Sequence, residues 1–556
     1  MGSLHHHCPS LSADLIGAED TKAGLALFRG IPFATVSKRW TQSQVKDSLS
    51  SPFDATKFGP RCPQPPHVSV ITASQKVPDF EEDEFSCLNL NIACPVEALP
   101  KKNEGESGEK KLLPVFVWVH GGAFKNGSIS DPRFYSSALS TLASRSSHPV
   151  IIVQIAYRLG VFGFLASNDL LSEHTSAAAS ASELEPFANF GLHDQKTAFQ
   201  WIQTHISDFG GDPENVTACG VSAGSASLHM HILSGKPLFD RAILMSGCAP
   251  TMGPFPLPLF EKGWMKFCKS SGVDGLESAE ERLEGLRSLS TEEAMKKMGG
   301  SSMFAPLAEG AYLPLGWKVG DKHPRTRCKE IIVSNTLVEA IIFDILAALL
   351  PQQVFYSKVL AAFPDTTDSS RFIELFGFSF AQGKEMSPDE YRDALRSFLS
   401  TVVFHYPSLR VAESFSSTYA SPTKEGTEKN TETDTNTKSY LYHINTPSPY
   451  PGPSYNLSVH GLCAILLFNN ADDAWTSDTR YIAENLAKTL IRFAYGEEPC
   501  QEFAAGGPVM TFEEKGLSLG PLEQGEDVGW GREDGTIGWL REHFEEAARL
   551  VMGLMG

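Results

Sequence analysis

The sequence predicts an α/β fold built on a mostly parallel sheet, with helices on both faces. Two observations carry that prediction. Six short runs rich in Val, Ile and Leu are apolar at consecutive positions, as strands buried on both faces are, at 112–119, 150–157, 216–219, 241–245, 331–334 and 439–444. Segments of helical periodicity alternate with them at 195–206, 337–349, 481–493 and 538–552. Strands with no polar face must be covered on both sides, and the alternating helices supply that cover.

Taken in chain order, the first residues carry three histidines at 5–7 and read as a mobile terminus of about 12 residues. The polar insert KKNEGESGEKK at 101–111 and the segment 172–188 read as surface loops between core elements. The stretch SPTKEGTEKNTETDTNTK at 421–438 has no large apolar side chain, so burial cannot offset its ordering entropy, and disorder is expected. Strand and helix signals continue on both sides of every insert. One domain over 1–556 is therefore expected, and no repeat of 20–50 residues is apparent.

Of the 556 residues, 42% are hydrophobic, enough to build a large core. Lys and Arg number 47 against 66 Asp and Glu, a net charge of −19, with no basic run longer than a pair such as Lys110-Lys111. A nucleic-acid partner is excluded on those grounds, because backbone affinity needs clustered cations. Residues 501–556 hold 11 acidic and four basic residues and read as a solvated surface. No run approaches the roughly 18 apolar residues that span a bilayer, and no secretory signal is visible, so the expected location is cytoplasmic. Ten cysteines without a CxxC pair argue against a disulfide scaffold or a zinc site.

Chemistry concentrates in two segments. In Val216-Thr-Ala-Cys-Gly-Val-Ser-Ala-Gly an apolar strand runs through Gly220-x-Ser222-x-Gly224 into a small-residue helix. That context marks a nucleophile elbow, where a serine on a strained strand-to-helix turn exposes its hydroxyl and flanking glycines avoid clashes. Gly516-Leu-Ser518-Leu-Gly520 fits the same spacing, but Glu513-Glu514-Lys515 precede it and Pro521 follows, so Ser518 reads as a loop serine. Upstream, the strand at 112–119 ends in His120-Gly121-Gly122-Ala123. Backbone amides of Gly122 and Ala123, with that of Ala223 after the nucleophile, would form an oxyanion hole.

Read together, these motifs resemble the type-B carboxylesterase/lipase family, the cholinesterase-like α/β-hydrolases. Further segments match the family's landmarks: Phe28-Arg-Gly-Ile-Pro-Phe-Ala34, Glu84-Phe-Ser-Cys-Leu-Asn-Leu-Asn91, Asn189-Phe-Gly-Leu-His-Asp-Gln195, Phe209-Gly-Gly-Asp-Pro213 and Phe239-Asp-Arg-Ala-Ile-Leu-Met-Ser-Gly247. The resemblance implies an α/β-hydrolase fold with helical insertions over the site, and a Ser-Glu-His triad in that chain order. The acid falls on Glu339, where Val338 and Ala340 replace the family's Asp and Gly. The base falls on His460, because Val459-His460-Gly461 followed by the apolar run 462–468 resembles the family's catalytic histidine segment, a context that none of the other fifteen histidines shares. Glu309 and the Asp472-Asp473 pair are the rival acids. His120, His193, His205, His229 and His231 read as structural.

The implied activity is hydrolysis of a small-molecule carboxylic ester, with no metal or organic cofactor. Acyl transfer or lactone opening, and a non-catalytic binding role, are the alternatives; oligomeric state is not legible. The resemblance also matches Cys62 and Cys87 to a disulfide pair of secreted relatives, and leaves their redox state here open. Cholinesterases in that family carry a tryptophan between the equivalent cysteines to hold the quaternary ammonium; none lies between Cys62 and Cys87, so the resemblance does not imply a choline ester as substrate.

Overall fold

The computed structural model describes residues 2–66, 71, 78–100, 111–178, 186–299, 304–379, 385–416, 437–470, 473–503, 507–513, 516–521 and 535–555. The strands of the main hydrogen-bonded path are β1 (Gly2–Cys8), β2 (Ala13–Asp20), β3 (Leu25–Pro32), β4 (Asn89–Pro95), β5 (Leu113–Val119) and β6 (Ile151–Ile155). They continue as β7 (Gly211–Val221), β8 (Arg241–Met245), β9 (Glu330–Thr336), β10 (Lys438–Asn445), β11 (Pro508–Glu513) and β12 (Gly516–Pro521). Their order across the sheet is β1-β2-β3-β4-β6-β5-β7-β8-β9-β10-β11-β12. From β6 to β11 every pairing is parallel, and antiparallel strands extend both ends. The sheet is thus mixed overall, with the expected parallel centre.

Side-chain alternation decides which helices cover which face. Val115, Val117 and Val119 of β5 join an apolar cluster with Phe199 and Ile202 of α3 (Phe190–His205) and Ala226 and Leu228 of α4 (Ala223–Leu233). The intervening Phe116 and Trp118 join the opposite cluster. There they meet Leu139 and Leu142 of α1 (Ser137–Arg145), Leu466 and Phe468 of α7 (Leu462–Phe468), and Leu486 and Leu490 of α8 (Ser477–Ala494). Each fully buried Leu or Phe contributes about 1.5–3 kcal/mol.

Several expectations are corrected. The supposed mobile terminus is β1 followed by a 3₁₀ turn at Pro9–Leu11, with Cys8 and Leu11 fully buried. Alternation in His5-His6-His7-Cys8 is the reason: His6 and Cys8 face inward while His5 and His7 face out. His6 Nε2 donates to the Asp208 carbonyl at 2.7 Å, and the Ser10 amide and hydroxyl donate to the Asp208 carboxylate at 2.9 and 2.7 Å. Residues 172–178, expected in a loop, belong to α2 (Asn168–Ala178), anchored by Glu173 on Arg287. Helix α3 starts before 195, because the polar residues of its first turns are satisfied inside; Asp194 takes a buried bidentate pair from Arg158.

At the carboxyl end, 501–556 is not only solvated surface. Its strands β11 and β12 extend the sheet, and α9 (Thr536–Met555) buries Ile537, Leu540 and Ala547. Ser518, expected in a loop, lies in β12, opposite Thr511. The helix expected at 337–349 is a 3₁₀ turn, Glu339–Phe343, running into α5 (Asp344–Leu349). Residues 101–110 and 421–436, within the two polar inserts, lie outside the described residues, and Lys438 already opens β10. Among the described residues no single helix is long and apolar enough to cross a membrane.

Candidate active site

In a parallel sheet the carboxyl ends of all strands share one edge, and side chains that follow them converge there. On that edge β5 delivers His120–Ala123, β7 delivers Ser222, β8 delivers Ser246 and Gly247, and β9 delivers Glu339. His460 follows β10 after a longer connection.

Ser222 is the N-cap of α4, with φ 55° and ψ −122°, a backbone conformation costly for any residue but glycine. Neighbours hold it there. Its amide donates to the Met245 carbonyl at 2.9 Å, and its carbonyl accepts from Ala226 at 2.9 Å, starting the helix. The two glycines of the motif permit the close approach: a Cβ on Gly224 would lie 2.2 Å from the Val119 carbonyl oxygen, and one on Gly220 2.6 Å from the Gly224 carbonyl carbon. Sequence spacing suggested this role for both.

The His120–Ala123 segment turns sharply away from β5. Gly122 has φ 119°, and Ala123 and Phe124 follow at 54° and 58°. Carbonyl Gly122 accepts from the amides of Lys125 and Asn126 at 3.0 Å, which fixes the turn. The His120 ring stacks on Tyr157 at 4.4 Å, and the Tyr157 hydroxyl donates to the His120 carbonyl at 2.7 Å. Burial holds His120 down to about 4, opposed by a bond to the Gly121 carbonyl, so it is a neutral structural ring. Ala223, the first residue of α4, is fixed from behind: its carbonyl accepts from Ser227 Oγ at 2.8 Å, which in turn accepts from Gln195 at 3.1 Å.

Glu339 is fully buried and His460 is 9% exposed. Their side chains meet, with Glu339 Oε2 2.5 Å from His460 Nδ1. The other carboxylate oxygen accepts from the Thr336 amide at 2.6 Å. Burial alone would push this carboxyl up, but the charge and hydrogen bond of His460, with the Thr336 amide, hold it below its ordinary value. Glu339 is therefore a buried carboxylate with both oxygens satisfied. Ser246 ties the end of β8 to β9 and α7: its amide donates to the Ser334 carbonyl at 2.7 Å, and its hydroxyl lies 3.6 Å from Cys463 Sγ.

Glu309 accepts from the amides of Tyr312 and Leu313 at 3.2 and 3.3 Å and so closes a turn. Asp473 is exposed, and Asp472 lies outside the described residues. His193, His205, His229 and His231 are all buried, and His231 is bonded to Tyr312 and Gln195. Cys62 and Cys87 are free, buried thiols. Sequence reasoning missed Ser400, Phe404 and His405, which pack behind Glu339 and His460. A histidine inside an apolar helical run carries no local motif that could have announced it.

A strand–turn–helix serine elbow on the carboxyl edge of this sheet defines an α/β-hydrolase fold, and solved structures agree. A thermophilic p-nitrobenzyl esterase superposes with a TM-score of 0.69 at 20% identity, covering 95% of this chain and 100% of its own. The chain belongs to the carboxylesterase family, whose model matches residues 14–516. Similar proteins include lipase 3 of Yarrowia lipolytica, 32% identical over 56% of this chain and 58% of that one. The para-nitrobenzyl esterase of Bacillus subtilis is 36% identical over 42% of each chain. The chain thus spans about half the length of the curated relatives it matches.

Proposed function

We propose that this protein hydrolyses small-molecule carboxylic esters, with Ser222 as nucleophile, His460 as general base and Glu339 as the buried acid. The 2.5 Å contact between Glu339 Oε2 and His460 Nδ1 carries the reading. A carboxylate only accepts, so the shared proton resides on Nδ1, which leaves Nε2 of a neutral ring with a lone pair to take the Ser222 proton. Attack on the ester carbonyl then builds negative charge on its oxygen, and the amides of Gly122, Ala123 and Ala223 are the donors that would stabilise it. His460 returns the proton to the departing alkoxide, giving an acyl-enzyme. Water, deprotonated by the same ring, releases the acid.

Incubation with a fluorophosphonate probe, followed by peptide mapping, tests the nucleophile; turnover of short- and medium-chain p-nitrophenyl esters tests the reaction. Labelling at Ser222 with release of free acid is expected. An unlabelled, inactive protein would refute the reading, and transfer of the acyl group to an added alcohol in preference to water would redirect it.

A further inference from the structure

One helix packs against the segments that carry Glu339 and His460. It runs as an α-helix over Pro388–Leu399, a π-helical turn over Ser400–His405, and α6 (Tyr406–Phe415). Pro407 accounts for the wide turn: it has no N–H for the carbonyl of Val403 four residues back, and its ring would collide with that group. The helix therefore expands, and the Tyr406 amide bonds the carbonyl of Thr401, five residues back.

The expansion brings Ser400 and His405 to the same loop. Ser400 Oγ accepts from the Ala340 amide at 3.0 Å, and His405 Nε2 donates to the Thr336 carbonyl at 2.9 Å. Ser408 Oγ donates to Asn335 Oδ1 at 3.1 Å, and the Phe404 ring lies 5.1 Å from that of His460. Thr336 is the hub, since its own amide holds Glu339 Oε1. One turn of helix thus touches Thr336 before the acid, Ala340 after it and the ring of the base.

We infer that this π-helical turn is the positioning element of the Glu339–His460 pair, with His405 as its principal positioning residue. The inference rests on the esterase reading. His405 holds the Thr336 carbonyl, Thr336 holds the acid, and the acid fixes the tautomer and orientation of His460. Among the described residues, titratable groups that face His405 include Glu339, on the loop after β9, and His443 of β10, whose ring lies 6.2 Å away. Reacting groups must be held to within a fraction of an ångström, so a slack loop here reaches the chemistry without touching substrate.

The test compares His405→Phe, which removes the donor, with His405→Gln, which keeps an N–H of similar reach. In His405→Phe, fluorophosphonate labelling of Ser222 and kcat on p-nitrophenyl butyrate are expected to fall about 10- to 100-fold, with KM within about threefold. The acid limb of its kcat/KM profile should move, because a displaced carboxylate stabilises the imidazolium less. His405→Gln should recover most of the loss. A folded His405→Phe protein with wild-type rates and pH profile would overturn the inference, as would a Gln variant no better than Phe. Where His405→Phe does not fold, Ser400→Ala decides: unchanged kcat overturns the inference, and a fall of about tenfold at constant KM supports it. Failure of the esterase reading is distinct, since the wild-type protein would then not be labelled at all.

Discussion

Glu339 and His460 each lie one residue beyond a parallel bridge that joins Val338 to Val459. The Val338 amide donates to the Ser458 carbonyl at 2.7 Å, and the His460 amide to the Val338 carbonyl at 3.3 Å. Backbone pairing therefore sets the separation of the two side chains before either contributes its own bond. It also accounts for the departures from the family pattern. At 338 the backbone is what pairs, so valine serves. At 340 the amide donates to Ser400 and the backbone stays out of the left-handed region, so a glycine is not required.

Ser222→Ala is expected to remove fluorophosphonate labelling and lower kcat on p-nitrophenyl esters by about 10⁴–10⁶. Ser518→Ala, an exposed change on the terminal strand β12, should leave both unaffected. Mass spectrometry of the labelled peptide checks the pair, and retained labelling in Ser222→Ala would refute the assignment.

Glu339→Gln should reduce kcat by roughly 10³–10⁴ with little change in KM, because an amide keeps the shape but stabilises the imidazolium poorly. Glu309→Gln should instead cost about 1–2 kcal/mol of stability, through the turn it closes at Tyr312 and Leu313, and spare kcat. Parallel kinetics and denaturant melts separate the two, and the opposite pattern would move the acid to Glu309.

Gly224→Ala should destabilise the protein by more than about 3 kcal/mol or prevent its accumulation as folded protein, since the new methyl would sit 2.2 Å from the Val119 carbonyl oxygen. Urea unfolding measures this. A midpoint equal to wild type would show that the elbow is looser than described.

Removing residues 2–12 should cost about 2–4 kcal/mol and lower the melting temperature, because Leu11 loses its burial and the Asp208 carboxylate loses the Ser10 donors. An unchanged melting temperature would mean that β1 contributes nothing.

Acid should destabilise the fold from an unusually high pH. Burial holds His120 at about 4, and burial followed by the charge of Lys196 holds His193 and His231 at about 3, against 6.5 for the unfolded chain. Between those values the unfolded state binds more protons than the folded one. Stability is therefore full above pH 6.5 and falls as pH drops toward 4 and then 3, by on the order of a few kcal/mol for each ring. Denaturant midpoints measured from pH 7.5 to 4 check the slope, and a flat profile would contradict it.

Much of this protein was legible in one dimension because its signals are local. A strand buried on both faces must be apolar at every position, so the run at 113–119 announced both its structure and its place in the sheet centre. The Ser222 elbow needs small residues at fixed offsets, and those offsets are the motif. The amino-terminal strand was misread because its inward and outward positions differ only by which histidine faces the core, and that depends on Asp208, two hundred residues away.

Tertiary structure alone decided what stands behind the acid. Glu339 could be located by its position after a strand, but its ionisation depends on the Thr336 amide and the His460 ring. The turn that braces this pair comes from a helix distant in sequence, where Ser400, Phe404 and His405 look like ordinary core residues. Sequence fixes which groups can react, through residue type and local spacing. Where a buried charge finds its partners is settled by packing, because hydrogen bonds of that kind form only once distant segments exclude water around them.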